Sequence, residues 1–180
     1  MRFGFVTTSH QTTLNMNHTD FIVHLASLYR PNVYVELGLY QGETIGKVVN
    51  YCQTAIGVDI VNVSLHPPCI FKQMSTDQFF QELDHPVDMF FIDADHRYES
   101  VSKDFWNATQ HLSPEGIIIL HDTDPIEDRL LDDGYCSDSY RIVRDIEASP
   151  QFNIITFPVA EAGVSVVTRK NSTRCFRRGL

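Results

Sequence analysis

Four stretches, 33–37 (VYVEL), 55–59 (AIGVD), 89–93 (MFFID) and 117–121 (IIILH), are apolar at nearly every position instead of at alternate ones. A strand of that composition has to be covered on both faces, which a mostly parallel sheet with helices on either side achieves. A weaker strand is predicted at 70–72 and two more at 152–157 and 164–168. Amphipathic segments separate them, giving predicted helices at 19–29, 44–51, 76–83, 98–111 and 139–148. In the fourth, Val101, Phe105, Ala108 and Leu112 recur at spacings of three and four, forming one apolar stripe. The last two strands are joined by PVAEAG with no helix between them, so they read as an antiparallel hairpin on the edge of the sheet. The prediction is an α/β, single-domain, doubly wound, Rossmann-like fold with seven strands.

Size and composition agree with this. A chain of 180 residues can enclose one sizeable core, and 43% hydrophobic with 21% charged residues is ordinary for a soluble globular protein. No apolar run approaches the roughly 20 residues that span a bilayer, and the first residues are too polar for a signal peptide. A cytoplasmic protein without membrane contact is the expectation. Cys52, Cys69, Cys136 and Cys175 form no C-x-x-C pair, so neither a zinc site nor a disulfide scaffold is signalled. A net charge of −9 argues against nucleic acid as an obligatory partner. The one basic cluster, RKNSTRCFRRGL, is at the C-terminus. The chain divides into an N-terminal segment and helix at 1–30, a ligand-binding domain at 31–170 and a basic tail at 171–180.

In a doubly wound fold the ligand lies beyond the carboxyl ends of the strands. The first strand ends in Glu36-Leu37-Gly38, followed by Leu39-Tyr40-Gln41-Gly42 and a helix start at Glu43-Thr44. Glycine at both ends of that loop permits positive φ and a close backbone approach to a ligand. The second strand ends at Asp59, which follows Gly38 by 21 residues, the distance at which an acid reaches ribose hydroxyls. The loop is G-x-x-x-G, not G-x-G-x-x-G, so a nucleoside cofactor without a pyrophosphate fits better than a dinucleotide.

VELGLYQGET, IGVDI, MSTDQFF and VDMFFIDADHRYESVSKDFWNATQHLSPEGIIILHDTD together resemble the successive motifs of the class I S-adenosylmethionine-dependent methyltransferases. They look most like the small-molecule O-methyltransferases, over a span from about residue 33 to 168. The resemblance implies a Rossmann-like methyltransferase fold and places Gly38 and Gly42 beneath the methionine part of the cofactor, with Glu36, Tyr40 and Thr44 beside them. It also implies that Asp59 holds the ribose, that Met74, Ser75 and Thr76 border the adenine, and that Asp93 faces the transferring methyl.

For catalysis, Asp93, Asp95 and His96 follow the fourth strand and His121, Asp122 and Asp124 the fifth. Asp93 and Asp122 are candidate ligands for a divalent ion such as Mg2+, which would lower the pKa of an acceptor hydroxyl. Cation-dependent relatives carry Asp-Asn or Asp-Asp where this chain has Asp122-Thr123, so the third ligand is missing or is replaced by Asp124 or His121. The metal-free alternative uses neutral His96 or His121 as general base.

The acceptor is expected to be a small molecule, neutral or cationic, because the loop at 122–140 carries six aspartates and one glutamate. The segment 5–15 (FVTTSHQTTLN) is a candidate cover for the site, and the remaining histidines read as surface residues. A homodimer through a sheet edge or the N-terminal helix is compatible with the fold. Two other readings stay open. In one, Asp93-Ala94-Asp95 is the D-x-D site of a glycosyltransferase; in the other, the chain binds S-adenosylmethionine without turnover, as a sensor or subunit.

Overall fold

The structure is a computed structural model and describes residues 16–172. Helix α1 (His18–Tyr29) starts at Asn17, whose side chain accepts a hydrogen bond from Asp20 N. Strand β1 (Val33–Leu37) leads to α2 (Glu43–Val48), then come β2 (Thr54–Asp59) and β3 (Ile70–Gln73). A capping box formed by Ser75 and Gln78 starts α3 (Thr76–Glu82), which precedes β4 (Val87–Ile92) and α4 (Tyr98–His111). Strand β5 (Leu112–His121), α5 (Ile142–Ala148), β6 (Phe152–Phe157) and β7 (Val164–Arg169) complete the order.

The seven strands form one sheet in the order β3-β2-β1-β4-β5-β7-β6. All pairings are parallel except β5 with β7 and β7 with β6. The C-terminal hairpin is therefore antiparallel as expected, with β6 on the outside. β5 begins five residues earlier than its apolar run, because Leu112 pairs with Val87 across a register shift before Met89 joins Ile117. The helices expected at 44–51 and 139–148 are each part 3-10: a turn at Val49–Tyr51 follows α2, and one at Ser139–Arg141 precedes α5.

The nearly continuous apolar strands are explained by two cores. On one face Leu37, Val58, Phe90 and Leu120 pack against Phe79, Phe105 and Ile146 of α3, α4 and α5. On the other, Tyr34, Met89 and Ile119 pack against Ile22, Ala26 and Ile45 of α1 and α2. Burial of each large apolar side chain contributes about 2 kcal/mol, so both faces are needed to order a sheet of this width. Trp106 is exposed at the edge of the first core, edge-on to Phe105 and Phe152.

Candidate functional site

The carboxyl ends of β1, β2, β4 and β5 open onto one cleft. Its floor is fixed at Gly38, where φ is +84° and a methyl group would lie 2.1 Å from the Asp93 carbonyl oxygen. Only glycine lets the ends of β1 and β4 approach this closely. Asp59 closes the turn above: its Oδ2 accepts from Leu39 N at 2.9 Å and its Oδ1 from Val61 N at 2.8 Å. Gly42 behaves differently from expectation. Its φ of +73° and a would-be methyl 2.4 Å from the Leu65 side chain are demands of the turn and of packing, and it does not line the cleft.

Asp59, Gly38 and Ala94 divide the cleft into two chambers. The larger, about 610 Å³, holds Asp93, His96, His121 and Asp122, with Tyr135 and Cys136 of the 122–140 loop as its outer wall. The smaller, about 280 Å³, is bordered by Met74, Ser75 and Thr76 and also by Asp77, Asp95 and Asp104. A recess of about 260 Å³ beside the larger chamber contains Glu36, Thr44 and Phe91. Tyr40, 88% exposed, stands at the mouth. Thr44 is buried, its hydroxyl 2.8 Å from that of Thr19, so it ties α2 to α1.

Charges in the larger chamber are tightly coupled. His121 Nδ1 sits 3.2 Å from Asp93 Oδ1 and 3.0 Å from Asp122 Oδ1. His96 Nε2 is 3.4 Å from Asp93 Oδ1, and its Nδ1 faces the Tyr135 carbonyl. Burial alone would raise the pKa of Asp93, but the neighbouring imidazoles outweigh it and hold the carboxyl well below the usual range. Burial would likewise lower His121, yet Asp93 and Asp122 bring it up to about 10. The hydrogen bond to Asp93 raises His96 to about 9 despite its burial. Both shifts favour the protonated imidazole in the ligand-free cleft, whereas the expectation from sequence has a neutral base at His96 or His121.

Among the described residues two side-chain atoms are buried without a hydrogen-bond partner, His121 Nε2 and Asp122 Oδ2. Asp122 Oδ2 lies 3.2 Å from His96 Nδ1, but that nitrogen hydrogen-bonds the Tyr135 carbonyl instead. Cys136 donates to Asp122 Oδ1 at 3.3 Å, and burial beside that carboxylate pushes its thiol up to about 12, so it stays protonated. Glu36 is fully enclosed; burial raises it to about 8, opposed by the Tyr34 hydroxyl donating at 2.6 Å.

A divalent ion would find Asp93, His96 and Asp122 with one ligand atom from each within 4.8 Å of one another. The partnerless, buried Asp122 oxygen fits that use. The third member of that group is His96, where the sequence expectation has Asp124 or His121; neither of these two belongs to it. Thr123 cannot serve, because its hydroxyl accepts from Ser165 in the interior.

Asp93 faces the larger chamber, whereas Asp95 faces the smaller and is held by Arg97 and Ser100. A D-x-D metal site is not formed. Arg97 points to solvent and Tyr98 reaches Asp145, so neither enters the cleft.

One residue that reads as a surface histidine is misjudged in that way. His18 lines the larger chamber, its ring 4.4 Å from that of His121 and also against Phe91. Burial, then the His121 charge, lowers its pKa from the ordinary value, against weaker upward pulls from Asp93, Asp122 and Glu43. The only local signal is Asn17-His18-Thr19-Asp20, a helix start that says nothing of where the helix docks. The 5–15 segment, Cys175 and most of the basic tail lie outside the described residues. Among those described, no helix is long and apolar enough to cross a membrane.

Comparison with known proteins adds to this geometry. Residues 63–123 match the family model described as a methyltransferase domain. No curated protein sequence matches the chain. An O-methyltransferase from Bacillus cereus, solved with S-adenosylhomocysteine, has a TM-score of 0.66 at 16% identity, over 83% of this chain and 80% of that one. The O-methyltransferase TomG from Streptomyces achromogenes, solved with S-adenosylmethionine, gives 0.64 at 14% identity, over 84% and 78%. The N-methyltransferase NodS from Bradyrhizobium japonicum gives 0.60 at 13%, over 84% and 93%. At these identities the likeness is one of fold, and the fold serves acceptors of more than one element. Fold and family match agree: this chain has the fold of the class I S-adenosylmethionine-dependent methyltransferases, and a methyltransferase-domain model matches its central third.

Proposed function

We propose that the protein transfers a methyl group from S-adenosylmethionine to a small-molecule acceptor, at a hydroxyl oxygen. The observation that carries this reading is the division of one cleft at Asp59, with a smaller chamber on one side and a cluster of carboxylates and imidazoles on the other. A nucleoside laid across that division puts its ribose at Asp59 and its sulfonium beside Asp93, with Glu36 in the recess available to the methionine ammonium.

In the reaction the acceptor oxygen attacks the methyl carbon, the carbon–sulfur bond breaks, and S-adenosylhomocysteine leaves as a neutral thioether. The protein's part is to align donor and acceptor in a cleft walled by Tyr135, Cys136 and Leu130, and to take the acceptor's proton. His18 is the imidazole in the chamber whose pKa is lowered, and we assign it that proton. Asp93, His96 and Asp122 fit a divalent ion, which when bound would acidify the acceptor hydroxyl. The acidic 122–140 loop disfavours a polyanionic acceptor.

Calorimetric titration with S-adenosylmethionine, with and without magnesium and with NAD as a control, tests the reading. Micromolar binding of S-adenosylmethionine and none of NAD is expected. A folded protein that binds NAD, or binds neither, would remove the basis for a methyltransferase.

A further inference from the structure

A cation entering the larger chamber would meet two carboxylates and one nitrogen. Asp93 follows β4, Asp122 follows β5 and His96 stands in the loop between β4 and α4, with one ligand atom from each within 4.8 Å of the others. The residue after Asp122 adds no side-chain oxygen, because the Thr123 hydroxyl accepts from Ser165 in the interior. The third donor is therefore an imidazole.

Each of the three is held in place by neighbours. Asp122 has a φ of +58°, a left-handed conformation that non-glycine residues seldom adopt, and the Ser139 hydroxyl fixes its carbonyl at 2.7 Å. The Cys136 thiol donates to its Oδ1 at 3.3 Å, and among the described residues nothing hydrogen-bonds its buried Oδ2. His121 Nδ1 steadies Asp93 through Oδ1 at 3.2 Å. His96 gives its Nδ1 hydrogen to the Tyr135 carbonyl, which leaves Nε2 to face a ligand, 3.4 Å from Asp93 Oδ1. A ligating histidine characteristically passes its other N–H to such a carbonyl, which fixes the ring and its tautomer. Donors about 2.1 Å from one ion stand roughly 3.0 to 3.4 Å apart, so the spacing of His96 and Asp93 suits a shared ion.

The structure assigns this site to a divalent first-row transition ion, such as Fe2+, Co2+ or Zn2+, in preference to Mg2+, with His96 as the residue that makes the choice. The inference rests on the methyltransferase reading only for what the ion does in the cleft, since the donors are the chain's own. Mg2+ is a hard ion that takes oxygen ligands and gives up its water reluctantly, so an imidazole nitrogen adds little to its binding. The later first-row ions bind imidazole strongly. Two carboxylates would attract ions of either kind, and the discrimination therefore falls to the one nitrogen.

The test titrates Co2+ and Mg2+ into the metal-free protein by calorimetry, in the wild type, His96→Gln and Asp122→Asn, with the visible absorption of bound Co2+ as a second readout. The wild type should bind Co2+ at least about 100-fold more tightly than Mg2+. His96→Gln, which offers an oxygen in place of the nitrogen, should narrow that ratio at least about tenfold by weakening Co2+, and should shift the cobalt bands. Asp122→Asn should weaken both ions. Melting curves verify that the variants fold, and the wild-type ratio and cobalt spectrum decide if they do not. A smaller wild-type ratio, or an unchanged ratio in a folded His96→Gln, overturns the choice by His96. Co2+ binding that a folded Asp122→Asn leaves intact puts the ion elsewhere and overturns the site. S-adenosylhomocysteine titrated into the metal-free wild type keeps the two claims apart: its failure to bind overturns the methyltransferase reading, while the ion ratios still decide the donor set.

Discussion

The two ends of the cleft handle buried charge in opposite ways. At the base end Asp59, Asp77 and Asp95 are each satisfied by backbone N–H groups, Lys103 or Arg97. At the methyl end Glu36 is enclosed with a raised pKa, and among the described residues His121 Nε2 and Asp122 Oδ2 are buried without a hydrogen bond, the latter with only the ion-pair contact to His96. The difference teaches which residues hold the fold together and which are held by it. Groups that serve structure are saturated by the protein itself, whereas groups left wanting are kept for something the protein binds.

That contrast can be broken by substitution. The largest effect is expected at the division between the chambers, where Gly38→Ala forces a methyl into the Asp93 carbonyl at positive φ. Loss on the order of 4 kcal/mol in chemical denaturation is expected, with both chambers disturbed. Asp59→Ala comes next, because it removes two hydrogen bonds of the protein as well as the proposed ribose acceptor. Stability should fall by about 2 kcal/mol and affinity for S-adenosylhomocysteine by roughly 100-fold. A variant with unaltered melting would show that the base end is not built as described.

At the methyl end the sign should reverse. Glu36 titrates at about 8 when folded against an ordinary 4.5, so between those values the folded protein keeps a proton that the unfolded chain has lost. Stability therefore falls as pH rises through that window, and Glu36→Gln escapes the loss. In the ligand-free protein the glutamine variant should be more stable than wild type by on the order of 2 kcal/mol at pH 9, and equal to it at pH 4. Urea denaturation at the two pH values measures this. A variant less stable than wild type at pH 9 would mean that the carboxylate is satisfied after all.

How legible all this is in the sequence depends on the range of the interaction. The continuous apolar runs forced a sheet covered on both faces, and the missing helix between 157 and 164 forced the antiparallel hairpin. Gly38 and Asp59 were readable because strand ends in a parallel sheet fall at known spacings. Gly42 was over-read, since a glycine after a strand answers to φ and to packing against Leu65 before it answers to any ligand. His18 was missed because its place depends on how α1 docks over β1 and β4, a long-range event with no local signature. The coupling of His96 and His121 to Asp93 and Asp122 also escaped, because it depends on side-chain distances of 3.0 to 3.4 Å, one of them across the ends of β4 and β5. Asp104 lay inside the amphipathic pattern of α4, where an acid reads as a solvent-facing residue until its burial is known.

The central claim is that one nucleoside cofactor spans both chambers with Asp59 at its middle. The direct measurement is the crystal structure of the complex with S-adenosylhomocysteine. The account requires the adenine beside Met74, the ribose hydroxyls on Asp59, and the sulfur facing Asp93 in the chamber of His18 and His121. An adenine lodged in the larger chamber, or a ribose that leaves Asp59 untouched, would contradict it.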